Sequence, residues 1–594
     1  MKKFSATRVL IWTSLAGAGL GAGACGGDGE TGPLAPGPAE PRVAFAPTAL
    51  DLGGGRSGSL TVRNVGAVAV GPVELVAGEF RGPGDAALPG GALAVSPSEI
   101  STLNPGDARV VSLGLTLPEG APEGPWAVAL EARSGGRTLA ALDIAFSITA
   151  PDLPTVASVA IEPPPTGLRQ GDVLTLRAVA RDADGAELPG APLQWSVIPG
   201  TAGLVTAEGR FVAYETGQIR VAARAGEAAD TVALDVTERN GPAGTLAVVG
   251  RGEVTTRFTS DHWEHGDAAY TGTWGCRPVP DGECGNTLFT WDISDPTRPR
   301  LTDSLRVDAR VVNDVKVSAD GNLAILTHES SADLQNGITI VDLSDPLQPR
   351  AIGRFAPPDL APGVHNVWIE GDYAYLVVDG VSPASGLRVI DIADPVDPRI
   401  VASFYGGESF LHDVFVRDGL AFLSHWTAGL IVLDVGAGLA GGSPSAPVEV
   451  GRIRIPGFRV HNAWYWPASG YVFLGDEVNL PGRVRVIDAR DPRNLAEVAT
   501  ITVPGAAPHN FWVDEEREIG YFAWYERGLQ AFDISGELLG ALERQGRQVS
   551  DGRYLPSGGC LAEGVMCTWA PQLHRGDIFV SDMNSGLWVL RPDF

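Results

Sequence analysis

The sequence predicts an all-β protein: a seven-bladed β-propeller preceded by two β-sandwich domains. Three observations lead there. First, a strand phrase, LRVIDIADPVDPR at residues 387–399, recurs through the C-terminal part, with versions beginning at Leu288, Ile338, Leu430, Val484, Leu529 and Leu587. Second, six of the seven copies carry an aspartate in register (Asp292, Asp342, Asp391, Asp434, Asp488 and Asp533), and Arg591 takes its place in the seventh. Successive copies lie 43 to 58 residues apart, a spacing that suits a repeated four-stranded unit. Third, short alternating apolar runs bounded by Gly, Pro, Asn and Asp fill the chain, and no long helical period appears.

One repeat shows how the unit is built. HNVWIE from His365 is a strand that ends at the Gly371-Asp372 turn, and YAYLVVD is the second strand. LRVIDI is the third, and IVASFY is the fourth. The β-branched Val389, Ile390 and Ile392 suit a pleated surface. Asp394-Pro395 then stops the strand, because proline brings no N–H to a ladder. Four antiparallel strands make one blade. The last phrase stops at Phe594 with no fourth strand behind it. Residues 245–249 (TLAVV), ahead of the first blade, can supply that strand and close the ring, which removes exposed edges.

These phrases, the SDP and ADP turns and the GDYAY-type hairpin resemble the LVIVD-repeat family of bacterial surface proteins. The resemblance covers roughly 244–594. It implies a propeller on an exported protein and names no single activity.

At 594 residues the chain is too long for one core and suits about three domains. Its formal net charge of −27 argues against a nucleic-acid partner, which calls for a basic footprint. It also argues against adhesion to an anionic membrane through the protein surface. Of five cysteines, Cys25 stands apart. Cys276 and Cys284 flank one loop, and Cys560 and Cys567 another, none in a CxxC spacing. They read as two disulfides of an exported protein. Local pairing, Cys276–Cys284 and Cys560–Cys567, is expected first; cross-pairing between the two loops is the alternative.

In chain order, residues 1–24 read as a lipoprotein signal peptide. Lys2, Lys3 and Arg8 precede a short apolar core, and Ala22-Gly23-Ala24 leads to Cys25. That ending resembles a bacterial lipobox, which implies lipidation of Cys25 and, with Gly26 following, an outer-membrane or cell-surface location. Residues 25–41 are a Gly/Pro-rich tether. From 42 to 150 strands alternate with turns such as Asn104-Pro105-Gly106-Asp107, the pattern of an Ig-like β-sandwich. Residues 151–238 (VASVAIEP, LQWSV, GQIRVAA, DTVALDVT) resemble the bacterial Ig-like group 2 domain, with Trp195 expected in its core. Asp182-Ala183-Asp184-Gly185 reads as a hairpin turn rather than a calcium loop, because no later glutamate completes one. Residues 239–594 are the propeller.

All nine histidines lie after residue 238. Four share one repeat position, at the start of the innermost strand: His365-Asn366, His412-Asp413, His461-Asn462 and His509-Asn510. The other blades place Ser260-Asp261, Asn313-Asp314 and Ala570-Pro571 there. The second strand returns to the same face and brings His328-Glu329, Asp379, His425-Trp426, Asp476-Glu477, Trp524-Tyr525-Glu526 and Asp582. The expected ligand or metal residues are therefore His365, His412, His461, His509, His328, His425, Asp413 and Asp476. Two roles compete for them. Short polar pairs can close the turn into a strand. Alternatively, imidazoles and carboxylates around one funnel hold a divalent metal ion or a polar ligand. His262, Glu264 and His265 (DHWEH) are expected on the surface of the first blade. No nucleophile elbow, phosphate loop or dinucleotide fingerprint occurs. The leading expectation is a monomeric, non-enzymatic envelope protein, held to the membrane only through Cys25. Its Ig-like stalk presents a propeller to a protein, glycan or small ligand. The alternative is a metal-dependent hydrolase or oxidase acting at the propeller mouth.

Overall fold

The computed structural model describes residues 41–52, 56–83, 86–88, 92–117, 122, 124–148, 156–278, 283–379, 385–406, 410–455, 457–477 and 482–594. The expected leader and the lipidation residue Cys25 lie outside them.

From Leu246 onward the described residues form seven antiparallel sheets. In chain order they are sheet 1 (258–306), sheet 2 (315–355), sheet 3 (364–404), sheet 4 (413–453), sheet 5 (460–502), sheet 6 (511–552) and sheet 7 (568–592). Each has four strands side by side, and sheet 5 gains a short fifth, Gly540–Ala541. The first strands of consecutive sheets touch in an unbroken circle, sheet 7 against sheet 1 included. This radial arrangement is that of a β-propeller.

Burial follows from it. The third strands are covered by neighbouring sheets on both faces and are buried almost throughout, as in Gly386–Asp391 and Gly429–Asp434. That is why the repeat phrase is a near-continuous apolar run. The fourth strands form the outer rim and alternate with solvent, as in Arg399–Phe404. The repeat aspartate has a local job: in all six copies its carboxylate accepts the backbone N–H two residues on, at 2.8–3.1 Å. It thereby fastens the turn after the third strand. Arg591, in the seventh copy, pairs instead with Asp577 at 2.7 Å. The closing strand is Leu246–Glu253, which pairs antiparallel with Gly586–Pro592 as the fourth strand of sheet 7.

Upstream lie two smaller β units. The first packs two sheets around Val62, Leu75, Trp126, Ile144 and Phe146. The second buries Trp195 against Phe211 and Val221. In its hairpin, Asp182 Oδ1 accepts the N–H groups of Asp184 and Ala186, which makes 182–185 a plain turn. Both units contact the propeller at sheets 5 and 6. Glu497 takes Arg63 at 3.1 Å and also Arg485, while Arg483 pairs with Asp107. Arg547 Nη2–H donates to Gly171 O at 2.8 Å, and the N–H of Ala541 donates to Tyr214 Oη at 3.1 Å. Cys276–Cys284 and Cys560–Cys567 are disulfides, each closing its own loop.

Candidate functional site

The channel wall is built from the first strands. In sheets 1, 3 and 5 the register slips near the strand start, between Thr259 and His262, Val364 and Val367, and Val460 and Ala463. Such a bulge sets two residues against one and re-aims side chains. Counted from it, the wall has three stories.

The first story holds Ser260, Asn313, His365, His412, His461, His509 and, in sheet 7, Trp569. Sheet 7 therefore contributes Trp569-Ala570 rather than the expected Ala570-Pro571 pair, because its register places Pro571 opposite Val580, one step deeper. The four histidines form a continuous arc. Ring centroids are 4.5 Å apart for His365–His412, 4.2 Å for His412–His461 and 4.2 Å for His461–His509, and Trp569 follows at 4.1 Å. His412, His461 and His509 are buried.

Their hydrogen bonds run between sheets and do not close their own turns. His412 Nδ1–H donates to His461 O at 3.0 Å, and His509 Nδ1–H donates to Trp569 O at 2.8 Å. A carbonyl on Nδ1 fixes the proton there and leaves Nε2 with its lone pair. Burial holds His412, His461 and His509 well below the ordinary histidine range, so all three are neutral. His365 differs. Its Nδ1–H donates to Glu329 Oε1 at 2.7 Å. Burial opposes its charge, but Glu329 and Asp379 outweigh burial and raise its pKa to about 9. Burial, with Glu329 adding repulsion, pushes Asp379 up to about 7. Burial likewise pushes Glu477 to about 7.

The second strands bring one position to the arc: Trp274, Glu329, Asp379, Trp426, Glu477, Tyr525 and Met583. Three expected residues sit one place earlier and so point away, because strand side chains alternate between faces. His328 is buried inside sheet 2, where its Nε2 meets Thr339 Oγ1 at 3.0 Å and burial lowers it to about 4. His425 packs against Gly406 and Ile431, and burial lowers it to about 4. Asp476 lies opposite Val460, and its neighbour Glu477 faces the arc instead. Asp413 lies one story deeper than the histidines, where it accepts Asn366 Nδ2–H at 2.8 Å. Trp426 stacks on His412 at 5.1 Å. Trp426 and Tyr525 adopt φ of 31° and 21°, a region that costs a bulky side chain energy and that clusters at functional sites.

Two donor groups result, each with one ligand atom per residue and all such atoms within 4.8 Å of one another: Glu329, His365 and Asp379, and His412, His461 and Glu477. In the first, the imidazole is already paired. In the second, His461 Nε2 lies 3.7 Å from Glu477 Oε2, and that oxygen has no hydrogen-bond partner among the described residues. Glu477 Oε1 accepts Tyr525 O–H at 2.7 Å.

The second story joins Asn366 to Asp413 and Asn510 to Asp261 by amide donors, and Asn313 of the first story donates to Asn366 Oδ1. Lys316, from sheet 2, pairs there with Asp314 at 2.6 Å and Asp261 at 3.3 Å. The third story is a complete aromatic girdle of Trp263, Trp368, Phe415, Trp464 and Trp512, with neighbouring centroids 4.5–6.2 Å apart. The sequence reading missed it, although each mouth histidine is followed three residues later by an aromatic residue. The expected surface residues of sheet 1 are also corrected. His262 and Glu264 are buried and paired at 2.7 Å, and His262 also reaches Ala570 O at 2.9 Å across the junction with sheet 7.

Comparisons bear on the fold. Residues 331–356, 363–405 and 411–454 match the LVIVD repeat. No curated protein matches the chain. Among solved structures, the C-terminal WD40 domain of Sif2 is 14% identical, with a TM-score of 0.38 over 63% of this chain and 90% of that one. The Myceliophteria thermophila Cps50 (Swd1) beta-propeller domain is 10% identical, with a TM-score of 0.41 over 58% and 98%. With the repeat phrases and the radial sheets, the repeat match identifies the C-terminal part of this chain as a β-propeller carrying LVIVD repeats.

Proposed function

We propose that this chain is an exported, lipid-anchored binding protein whose propeller mouth holds a small polar ligand. The seven sheets are read as the blades of a closed seven-bladed ring, and the two upstream units as Ig-like modules braced against it. Export and anchoring rest on the basic start, short apolar core and Cys25 of the N-terminal segment.

One observation carries the binding reading. Four imidazoles from consecutive sheets line one arc, with carboxylates beside them, and the buried Glu477 Oε2 there has no hydrogen-bond partner among the described residues. A purely architectural wall would be apolar or fully paired. A small ligand is favoured because His412, His461 and His509 of the arc are buried.

The test is thermal unfolding of the full chain with zinc, phosphate, a free amino acid or a monosaccharide added singly. A ligand bound only by the folded state raises the midpoint. At least one probe should do so in the parent and fail in His412→Ala. Identical responses from parent and variant to every probe would overturn the binding reading. Separately, Cys25→Ser should move the protein from the membrane to the soluble fraction.

A further inference from the structure

We infer that His412, His461 and Glu477 form a binding site for a divalent transition-metal ion of the zinc type. This inference rests on the mouth being a ligand site and names the ligand's class.

The donors are already gathered. Their ligand atoms lie within 4.8 Å of one another, and His461 Nε2 to Glu477 Oε2 is 3.7 Å. Ligands of a tetrahedral zinc with bonds of about 2.1 Å lie about 3.4 Å apart, so small side-chain rotations complete the site. The donors are also prepared. His412 Nδ1–H is held by His461 O, which presents Nε2 as the ligand nitrogen. Glu477 Oε1 is held by Tyr525 O–H, which presents Oε2. Metal ligands are typically oriented by such outer partners. Finally, the site is incomplete as a purely protein structure. Glu477 is 7% exposed, yet its Oε2 has no hydrogen-bond partner among the described residues.

Chemistry selects the ion. Two neutral imidazoles and one carboxylate suit zinc or copper(II). Calcium and magnesium prefer all-oxygen sets. His509 is the next imidazole along the arc, 4.2 Å from His461 ring to ring, with its Nδ1–H fixed by Trp569 O. It can approach as a fourth ligand. The other group, Glu329, His365 and Asp379, is not assigned a metal, because two of its three would-be ligands, His365 and Glu329, are bonded to each other at 2.7 Å.

The experiment loads the full chain with zinc, removes excess by gel filtration and counts metal per chain. Cobalt(II) replaces zinc in parallel to report ligand-field absorption. The parent should retain one zinc and give a tetrahedral cobalt spectrum. His461→Ala and Glu477→Gln should lose at least 100-fold in affinity. Tyr525→Phe should lose about 10-fold, as outer-partner changes do. His574→Ala, at the end of its strand away from the mouth, where Nε2 meets Gly266 O at 2.8 Å, should bind like the parent. Glu477→Gln conserves shape, so a folded far-ultraviolet spectrum with lost zinc separates ligand loss from misfolding. A folded parent that retains no zinc, or variants that bind as the parent does, overturns the metal site. If zinc fails but another probe raises the melting midpoint in a His412-dependent way, the metal assignment falls and the broader reading stands. If no probe does so, both fall.

Discussion

The two carboxylate–imidazole groups of the channel mouth draw on equivalent repeat positions and are finished in opposite ways. Around His365 there are two carboxylates for one imidazole. The ring is protonated, one carboxylate bonds it at 2.7 Å, and the group is an internal ion pair. Around Glu477 there are two imidazoles for one carboxylate. Both rings are neutral, and a carboxylate oxygen has no hydrogen-bond partner among the described residues. The repeat supplies the position. The ratio of acids to imidazoles, set by single residues on the next strand, decides whether that position is architecture or an open donor set.

Three substitutions and one titration probe this difference. The largest effect is expected from Glu329→Gln, which removes the partner of a buried imidazolium. It should cost about 2 kcal/mol in denaturant unfolding. Glu477→Gln should change stability by less than about 1 kcal/mol, because its Oε2 has no bond to lose and an amide oxygen can still accept from Tyr525. Equal losses from the two variants would erase the distinction. Next comes pH. The folded-state value of about 9 for His365 lies above its ordinary 6.5, so the ion pair stabilises fully below pH 6.5 and fades as pH rises through about 9. Asp379 acts in the other window: its raised value of about 7 costs stability as pH rises towards 7 and adds nothing further above it. Unfolding free energy should therefore fall between pH 7 and 9 in the parent and be nearly flat there in Glu329→Gln. A parent curve without that fall would mean that His365 is not charged. The smallest effect is expected from Asp379→Asn, which relieves a buried carboxylate facing another. At pH 8 it should raise stability by less than about 1 kcal/mol, read as a shift in denaturant midpoint. A lowered midpoint would mean that Asp379 supports His365 more than it repels Glu329.

The repeat phrase made the propeller legible, because a strand covered on both faces must be apolar along its length and must end at a turn. The histidine arc was legible for the same reason: all four histidines hold one place relative to that phrase. What failed was parity. His328, His425 and Asp476 were chosen where Glu329, Trp426 and Glu477 face the arc. Counting residues through a bulge and a hairpin loses track of one residue, and one residue is the difference between the two faces of a strand. His262 and Glu264 looked superficial because the neighbours that bury them, Ala570 and Gln572, lie 308 residues away. Lys316 was unremarked because its meaning depends on Asp261, a residue of another sheet. No local pattern announces such partners.

The pairing of Leu246–Glu253 with Gly586–Pro592 has a consequence for biosynthesis. The strand made first in the ring must wait for the strand made last. At about 5–20 residues per second, that wait lasts tens of seconds. The two upstream β units can form as soon as their own residues are available, but the ring cannot, and its unpaired edge is a template for pairing with other chains. A premature stop only a few codons before Phe594 would leave every residue of the mouth in place, yet the newborn protein would still present that edge to chaperones and proteases.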